Sequence, residues 1–583
     1  MSETTASAPP RAAGSTAGER TIGRLWRDAV AAERTTPAYL VEGPDGWREV
    51  GWKEAGRAVD ELANGLLALG VRKGDAVGIL AQTTVEWALF DYALALIGAV
   101  GAAIYANSSA ADCRYVLEHS DAVGVLVEDD EQRGKVADLR LPHVISVADL
   151  DDLRARGRSF AADHPGALAA AESAVDEEDL FTFIYTSGTT GPPKACMIRH
   201  RNYYEMAACV DHVEGFAFED DVMLLYLPLA HNFGRLMHLL GAHVGYTVAF
   251  CPDPLRVAET LPAVRPTLLP SVPRLYEKVH TALLVHFEQT TGARRRLVDW
   301  ALAVGRRAGE LRRRGEPLPP SLALRHRLAD RLVYGKVKKR LGGRLRLGVS
   351  GGAPLAPEIG EFFHALDILI IEGWGLTECT TAASVNRPHR FRFGTVGPAL
   401  PGFEVRTDAD GELLIRSPTV FAGYYKDEEA TREVLGADGW LRSGDVGEID
   451  ADGFIHVTDR KKDILVTAGG KNVAPQNLEN ALKTAPLVSQ ALVVGDRRPY
   501  VAALITVDPE QAKGVPAEEL ETRMQEIVDG VNAPLSRFEQ IKRFAILPRE
   551  FTAEEGEVTP TLKLKRRACQ EHFATEIERL YAS

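Results

Sequence analysis

Phe183-Ile184-Tyr185-Thr186-Ser187-Gly188-Thr189-Thr190-Gly191-Pro192-Pro193-Lys194 is the stretch around which the chain is organised. Three apolar residues read as a strand. Hydroxyls and glycines follow, and a Pro-Pro pair and a lysine close the run. Glycines let the backbone approach a ligand, and N–H groups and hydroxyls donate to phosphate oxygens, so the loop suits a polyphosphate. No Gly-Lys-Ser/Thr follows the glycines at the required spacing, which excludes a Walker loop. Taken alone, the same composition also describes a surface turn.

On both sides of this loop, short apolar runs alternate with helical periodicity. Residues 22–35 and 53–70 read as amphipathic helices, and 77–80, 102–106 and 124–127 as short buried strands. A second unit of the same style covers about 180–290, with strands at 223–226, 248–251 and 267–269. This alternation predicts an α/β fold of parallel or mixed sheets with helices on their faces. From Gly402 the pattern becomes β-hairpins, turning at Asp408-Ala409-Asp410-Gly411 and Asp450-Ala451-Asp452-Gly453. After Arg460 it changes again, to a loop and helix over 473–485, strands at 490–495 and 500–507, and a helix around 517–531.

The expected architecture is therefore a large N-terminal domain of mixed or parallel sheets with flanking helices and a β-hairpin subdomain, then a small mobile α+β C-terminal domain. The expected boundaries are a disordered tail over 1–20, a large domain over 21–459, a hinge at 460–462 and a small domain over 463–583.

A length of 583 residues exceeds what one core usually serves. Apolar content of 45% and charged content of 26% are ordinary for a globular protein. A net charge of −13 argues against nucleic acid as a partner. Six scattered cysteines without a CxxC pair point to a reducing, cytoplasmic setting and no structural zinc. The first twenty residues lack the apolar core of a signal peptide. The apolar run at 92–106 is too short to span a bilayer and reads as a buried helix followed by a strand. Residues 294–346 stand apart, with 17 lysines and arginines against 4 acidic residues. Two readings stay open there: peripheral contact with anionic lipid at the inner face of the membrane, or a solvated helical face paired with acidic neighbours.

Several short motifs carry chemistry. Ser350-Gly351-Gly352-Ala353-Pro354 follows an apolar strand, and its double glycine lets backbone lie against a flat ligand. Glu372-Gly373-Trp374-Gly375-Leu376-Thr377-Glu378 ends the next strand. Trp374 offers a platform for a base, Thr377 a hydroxyl for a phosphate, and Glu378 an oxygen for the Mg²⁺ that escorts ATP. Asp445, after Ser443-Gly444, is placed to accept from both hydroxyls of a ribose, with Arg460 at the end of the next hairpin. Near the end, Leu562-Lys563-Leu564-Lys565-Arg566-Arg567 holds a lysine that a mobile domain can bring to charge developing between a carboxylate and an α-phosphate.

In this order, the motifs resemble the adenylate-forming (AMP-binding) superfamily, and within it the long-chain fatty-acid–CoA ligases. The resemblance runs from about residue 25 to the end, and the string from Asp459 to Pro475 looks especially like the long-chain branch. It implies that Thr186, Ser187, Gly188, Thr189, Thr190, Gly191 and Lys194 hold the β- and γ-phosphates, with Thr189 and Glu378 at the metal. Gly351, Gly352, Ala353 and Pro354 would border the nucleotide. Trp374, beside Gly375, takes the place of the family's usual tyrosine against adenine. Thr377 would touch the α-phosphate, and Asp445 with Arg460 would grip the ribose. Lys563 would bridge carboxylate and α-phosphate, and Lys462 would be the hinge between two orientations of the small domain. Gly469 and Gly470 would then line the CoA channel. His231, in Pro228-Leu229-Ala230-His231-Asn232-Phe233, matches a motif beside the acyl pocket, or is a satisfied loop histidine. The position nearest a tryptophan that gates the acyl tunnel in some bacterial relatives is Arg235.

The resemblance implies ATP, Mg²⁺ and CoA as cofactors and co-substrates, and conversion of a fatty acid to acyl-AMP and then acyl-CoA. Three rivals stay open: a fatty-acyl-AMP ligase that serves a carrier protein, a ligase for medium-chain or aromatic acids, and a catalytically silent protein on the same fold. Amino-acid-activating relatives usually place an aspartate in the 228–235 region. None stands there, which favours a simple carboxylic acid.

Overall fold

The computed structural model describes residues 19–186, 192–552, 554–559 and 563–582. The expected tail at 1–20 falls almost wholly outside these residues. So do Ser187, Gly188, Thr189, Thr190 and Gly191 of the phosphate loop, and Pro560, Thr561 and Leu562 before Lys563.

The two predicted α/β units form two separate sheets. One has six strands in the order His143–Ser146, Gly124–Val127, Ala76–Leu80, Val100–Ile104, Leu180–Thr186 and Lys194–Arg199. All its pairings are parallel except the last, where the chain turns back after the phosphate loop. The other sheet has eight strands, with Leu369–Trp374, Leu347–Ser350, Leu268–Ser271, Val222–Leu225 and Thr247–Phe250 as its parallel centre. Its far edge is an N-terminal hairpin, Tyr39–Gly43 and Gly46–Val50, which has no place in the alternation read from sequence.

The uncharged run near residue 92 resolves into a helix, Val85–Ile97, and the strand Val100–Ile104, which starts two residues earlier than the expected 102. Thr84 caps the helix by accepting from the Trp87 N–H, and Gly98 ends it in the left-handed conformation. Its residues are buried nearly all round, so its pattern shows little amphipathicity. One apolar core runs through this helix and both sheets, with Trp26 stacked on Tyr92 at 4.2 Å between ring centres.

Within that core lies a charge. Arg235, on the helix Asn232–Val244, is fully buried and bonds the carboxylate of Asp91, with Nε to Oδ2 at 2.9 Å. It also donates to Thr182 Oγ1 at 2.6 Å and sits over the rings of Phe181 and Trp87. Arg235 therefore ties elements of the two sheets together, and its side chain is buried in the core rather than among the residues that line the large cavity.

A four-stranded antiparallel sheet follows, Glu404–Thr407, Glu412–Arg416, Leu441–Ile449 and Ile455–Arg460. Beyond it come a two-stranded ribbon, Leu465–Val466 with Asn472–Val473, and a three-stranded sheet, Val488–Val494, Val501–Val507 and Ile541–Ile546. The helices Pro475–Lys483 and Ala517–Asn532 pack with this last sheet around cores drawn wholly from residue 465 onward. The six cysteines are unpaired. Among the described residues no helix is long and apolar enough to cross a membrane.

Candidate active site

The C-terminal ends of the parallel strands in the eight-stranded sheet open on a cavity of about 1450 Å³. Open α/β sheets present ligand crevices at such strand ends. The strand Leu347–Ser350 delivers Gly351, Gly352, Ala353 and Pro354, and Leu369–Trp374 delivers Trp374, Gly375, Thr377 and Glu378. Thr186 and Lys194 reach the same cavity from the two sides of the phosphate loop. Asp445, Arg460, Lys462, Lys563 and His231 also line it. Gly469 and Gly470 do not: they lie exposed on the turn of the two-stranded ribbon.

Strand register explains one pairing. Asp445 and Arg460 face each other across neighbouring antiparallel strands, and Arg460 Nε lies 3.2 Å from Asp445 Oδ1. The other carboxylate oxygen, Oδ2, accepts from the indole Nε1–H of Trp374 at 2.7 Å. Gly375 is a glycine for a steric reason, since a Cβ there would meet the Thr381 carbonyl oxygen at 2.2 Å.

Lys563 comes from the C-terminal part of the chain. Thr559 N–H donates to the Lys563 carbonyl at 2.8 Å, and Lys563 N–H donates to Thr559 Oγ1 at 3.0 Å. The side chain enters the cavity over Gly352, whose φ of +85° is a glycine conformation. Burial, and then the nearby Arg460 guanidinium, push the Lys563 ammonium down to about 8. Asp445 and Glu378 oppose that shift. Behind this loop, the buried carboxylate of Glu557 holds Arg549 through two bonds, at 2.6 and 2.7 Å, and His572 at 3.0 Å.

His231 caps the helix Asn232–Val244, its Nδ1 accepting from Phe233 N–H at 3.2 Å. Burial, and then Lys563, push its imidazole down to about 3, so the ring is neutral at pH 7. A ring nitrogen that accepts carries no proton, so the hydrogen sits on Nε2 and makes it a donor.

Glu378 has a partner that sequence reasoning missed. The Tyr424 hydroxyl donates to Glu378 Oε1 at 2.6 Å, and the Lys194 ammonium lies 5.1 Å from the centre of the Tyr424 ring. The segment carrying Tyr424 runs beside the strand Lys194–Arg199, with Met197 N–H to the Gly423 carbonyl at 2.9 Å. Its only sequence signal is Phe421-Ala422-Gly423-Tyr424-Tyr425, an apolar and aromatic run with no charge. Glu378 suits Mg²⁺ that arrives with phosphates and keeps several waters, since such ions need only one or two protein carboxylates. Among the described residues no cluster of three or more metal-ligating side chains occurs.

Two further residues also escaped the sequence. Arg274 donates to the Ser489 carbonyl at 2.5 Å and to Ser489 Oγ at 2.7 Å, and lies 3.5 Å from Glu550. Buried Glu277 takes Lys483 at 3.0 Å. These bonds close one side of the cavity between the helix Pro273–Glu288 and residues beyond 480. The remaining lining is partly apolar and includes Met206, Val213, Phe216, Met237 and Leu240.

Comparison with known proteins decides the family. The description "AMP-binding enzyme" matches residues 26–425, and "AMP-binding enzyme C-terminal domain" matches 462–583. The chain is a member of the AMP-binding enzyme family. This AMP-binding enzyme is 38% identical over 606 residues to the long-chain-fatty-acid–CoA ligase FadD15 of Mycobacterium tuberculosis, covering 96% of this chain and 98% of that one. It is 32% identical to the peroxisomal long chain acyl-CoA synthetase 7 of Arabidopsis thaliana, over 92% and 82% of the two chains. Among solved structures, the adenylation domain of a Mycobacterium chelonae carboxylate reductase superposes with a TM-score of 0.76 at 23% identity, covering 97% and 91% of the chains. The anthranilate CoA ligase AuaEII in complex with anthranoyl-AMP gives 0.73 at 21%, covering 95% and 98%. These two likenesses establish the fold.

Proposed function

We propose that this enzyme joins a long-chain fatty acid to CoA in two steps, using ATP and Mg²⁺. The observation that carries the reading is convergence. Trp374, Asp445 and Arg460, Glu378 and Lys563 surround one cavity whose lining continues into apolar side chains suited to an acyl chain. The names of its relatives support the long-chain substrate.

A carboxylate is a poor electrophile, so the first step makes it an anhydride. The fatty-acid carboxylate oxygen attacks the α-phosphorus of ATP, the bond from that phosphorus to the bridging oxygen breaks, and pyrophosphate leaves. Trp374 stacks on adenine, Asp445 with Arg460 takes the ribose, and residues 186–194 hold the outgoing phosphates. The Lys563 ammonium lies between carboxylate and α-phosphate, where it offsets repulsion between two anions. Thr377 and the Nε2–H of His231 donate to the same region. Glu378 would hold Mg²⁺, which when bound would supply further charge shielding.

In the second step the CoA thiolate attacks the acyl carbonyl, the C–O bond to AMP breaks, and AMP leaves. This needs Lys563 withdrawn and a thiol path opened. We assign that change to rotation of a small domain, 463–583, on a large one, 21–459, about a hinge at 460–462 with Lys462 at its centre. Gly469 and Gly470, outside the cavity in this orientation, would line the CoA path in the other.

The basic segment supports a lipid contact through one helix. Many of its charges are paired, as Arg312 is with Asp367 and Arg346 with Asp221. On the helix Pro320–Ala329, however, Leu324 and Leu328 are 69% and 48% exposed, one turn apart, beside Arg325 and Arg327. Co-sedimentation with anionic but not neutral vesicles, weakened by salt, is expected. Equal recovery with both vesicle types would end this assignment.

The test of the main reading is AMP and thioester formation with ATP, Mg²⁺, CoA and a ladder of acids. Both products should require acid and CoA and favour long chains. A preference for short or aromatic acids would contradict the substrate assignment.

A further inference from the structure

Asp445 is restrained from two directions. Its backbone is fixed by the strand pairing with Arg460 and by its N–H, which donates to Ser443 Oγ at 3.0 Å. The side chain keeps its staggered χ1 and the rotation of the carboxylate, a broad torsion when nothing holds it. Trp374 Nε1–H on Oδ2 at 2.7 Å and Arg460 Nε near Oδ1 at 3.2 Å stop that rotation.

The two contacts differ in firmness. The Trp374 indole and Asp445 are 8% and 5% exposed, whereas the Arg460 side chain is 49% exposed. The indole N–H is therefore the firmer restraint. An ionised carboxylate offers about four lone-pair positions. The indole N–H takes one of them, while Arg460 makes an ion pair, so both oxygens keep a free position, and a ribose presents two adjacent hydroxyls.

We propose that Trp374 is a positioning residue for the ribose. Its indole N–H holds the Asp445 carboxylate in the orientation that accepts from the 2′- and 3′-hydroxyls. One side chain then stacks on the base through its face and sets ribose selection through its edge. This rests on the ATP reading above. A phenylalanine keeps an aromatic face but has no donor, so the two roles separate by substitution.

The experiment compares ATP with 2′-deoxy-ATP in fatty-acid-dependent AMP formation. Trp374→Phe should raise KM for ATP about tenfold, as expected for losing a hydrogen bond to a charged group, with a smaller change in kcat. KM for 2′-deoxy-ATP should move much less, so discrimination shrinks. Trp374→Leu removes the face as well and serves if the first variant fails to fold. It too should lose discrimination, on top of a general loss of nucleotide affinity. In an Asp445→Asn background, Trp374→Phe should leave discrimination unchanged. A folded Trp374 variant with wild-type discrimination would overturn the proposal and leave the ring as a stacking platform only. If Asp445→Asn alone keeps full discrimination, the ribose assignment itself fails, and the proposal with it.

Discussion

Lys563 lies against Gly352: its Cε is 3.8 Å from the point a Cβ on Gly352 would occupy. A residue late in the chain thus closes over a loop more than 200 positions earlier, in the wall of the cavity proposed to hold the nucleotide. Burial of this side chain is the first cause of the depressed Lys563 pKa.

The depressed pKa fixes a pH dependence. The folded value is about 8, below the 10.5 of a lysine in water. The proposed role needs the ammonium, which is fully present below pH 8 and lost as pH rises through it. For adenylation, kcat/KM for ATP should fall above about pH 8, because that ratio reports the free enzyme. Lys563→Arg should remove this limb, since arginine stays charged. An unchanged limb in that variant would assign the titration to another group. Stability runs the other way. Between pH 8 and 10.5 the unfolded chain binds more protons at this site, so the folded state gains stability across that window.

Tyr424→Phe deletes one hydroxyl, the donor to Glu378. A hydrogen bond to a charged group is worth about 1.5–3 kcal/mol, so the Mg²⁺ concentration for half-maximal adenylation should rise about tenfold or more. Titration of adenylation with Mg²⁺ at saturating ATP reads this. No shift would mean that Tyr424 does not orient the carboxylate proposed to hold the metal.

Arg274 and Glu277, on the helix Pro273–Glu288, bond Ser489 and Lys483 of the C-terminal part of the chain, contacts that would hold the proposed small domain in this orientation. If the enzyme alternates between two orientations, Arg274→Met should slow adenylation several-fold and spare thioester formation from pre-made acyl-AMP. When the domain leaves, Arg274 keeps a partner within its own helix, since Glu277 lies 3.7 Å away. Lys462→Pro should do the opposite, sparing adenylation and impairing the second step. Equal loss of both half-reactions in either variant would count against the alternation.

Arg235→Met should destabilise the large domain by about 3–5 kcal/mol, because it leaves the Asp91 carboxylate buried without its cation. Burial already raises the Asp91 pKa. Chemical denaturation measures the loss, and the double variant Asp91→Leu with Arg235→Met should regain most of it. A single variant as stable as wild type would show that this pair does not hold the two sheets together.

Much of the site was legible because its residues sit at strand ends marked by glycines. Gly351 and Trp374 follow or end a short apolar run, and strand-end placement brings them to one crevice, which Asp445 reaches from the middle of the strand Leu441–Ile449. Tyr424, Arg274 and Glu277 carry no such mark. Tyr424 reaches Glu378 because a loop from residue 418 lies along the strand Lys194–Arg199, and Arg274 reaches Ser489 because residues beyond 480 pack against its helix. Both depend on long-range packing, which local periodicity does not encode. The N-terminal hairpin carries a local turn signal, Pro44-Asp45-Gly46, that the alternation reading passed over, and only its place at the sheet edge depends on a strand some 200 residues away. Arg235 shows the converse. Placed by count beside a tunnel, it turns into the core, where Asp91, far off in sequence, neutralises it.

The most direct measurement is a single turnover with labelled long-chain fatty acid, ATP and Mg²⁺, first without CoA and then with it. The account predicts enzyme-bound acyl-AMP with one pyrophosphate per site, then complete conversion to acyl-CoA and AMP when CoA is added. Lys563→Ala should fail at the first stage and convert supplied acyl-AMP at the second. Acyl-AMP that persists after CoA is added to the wild-type enzyme would contradict the account and point to a carrier protein as the acceptor.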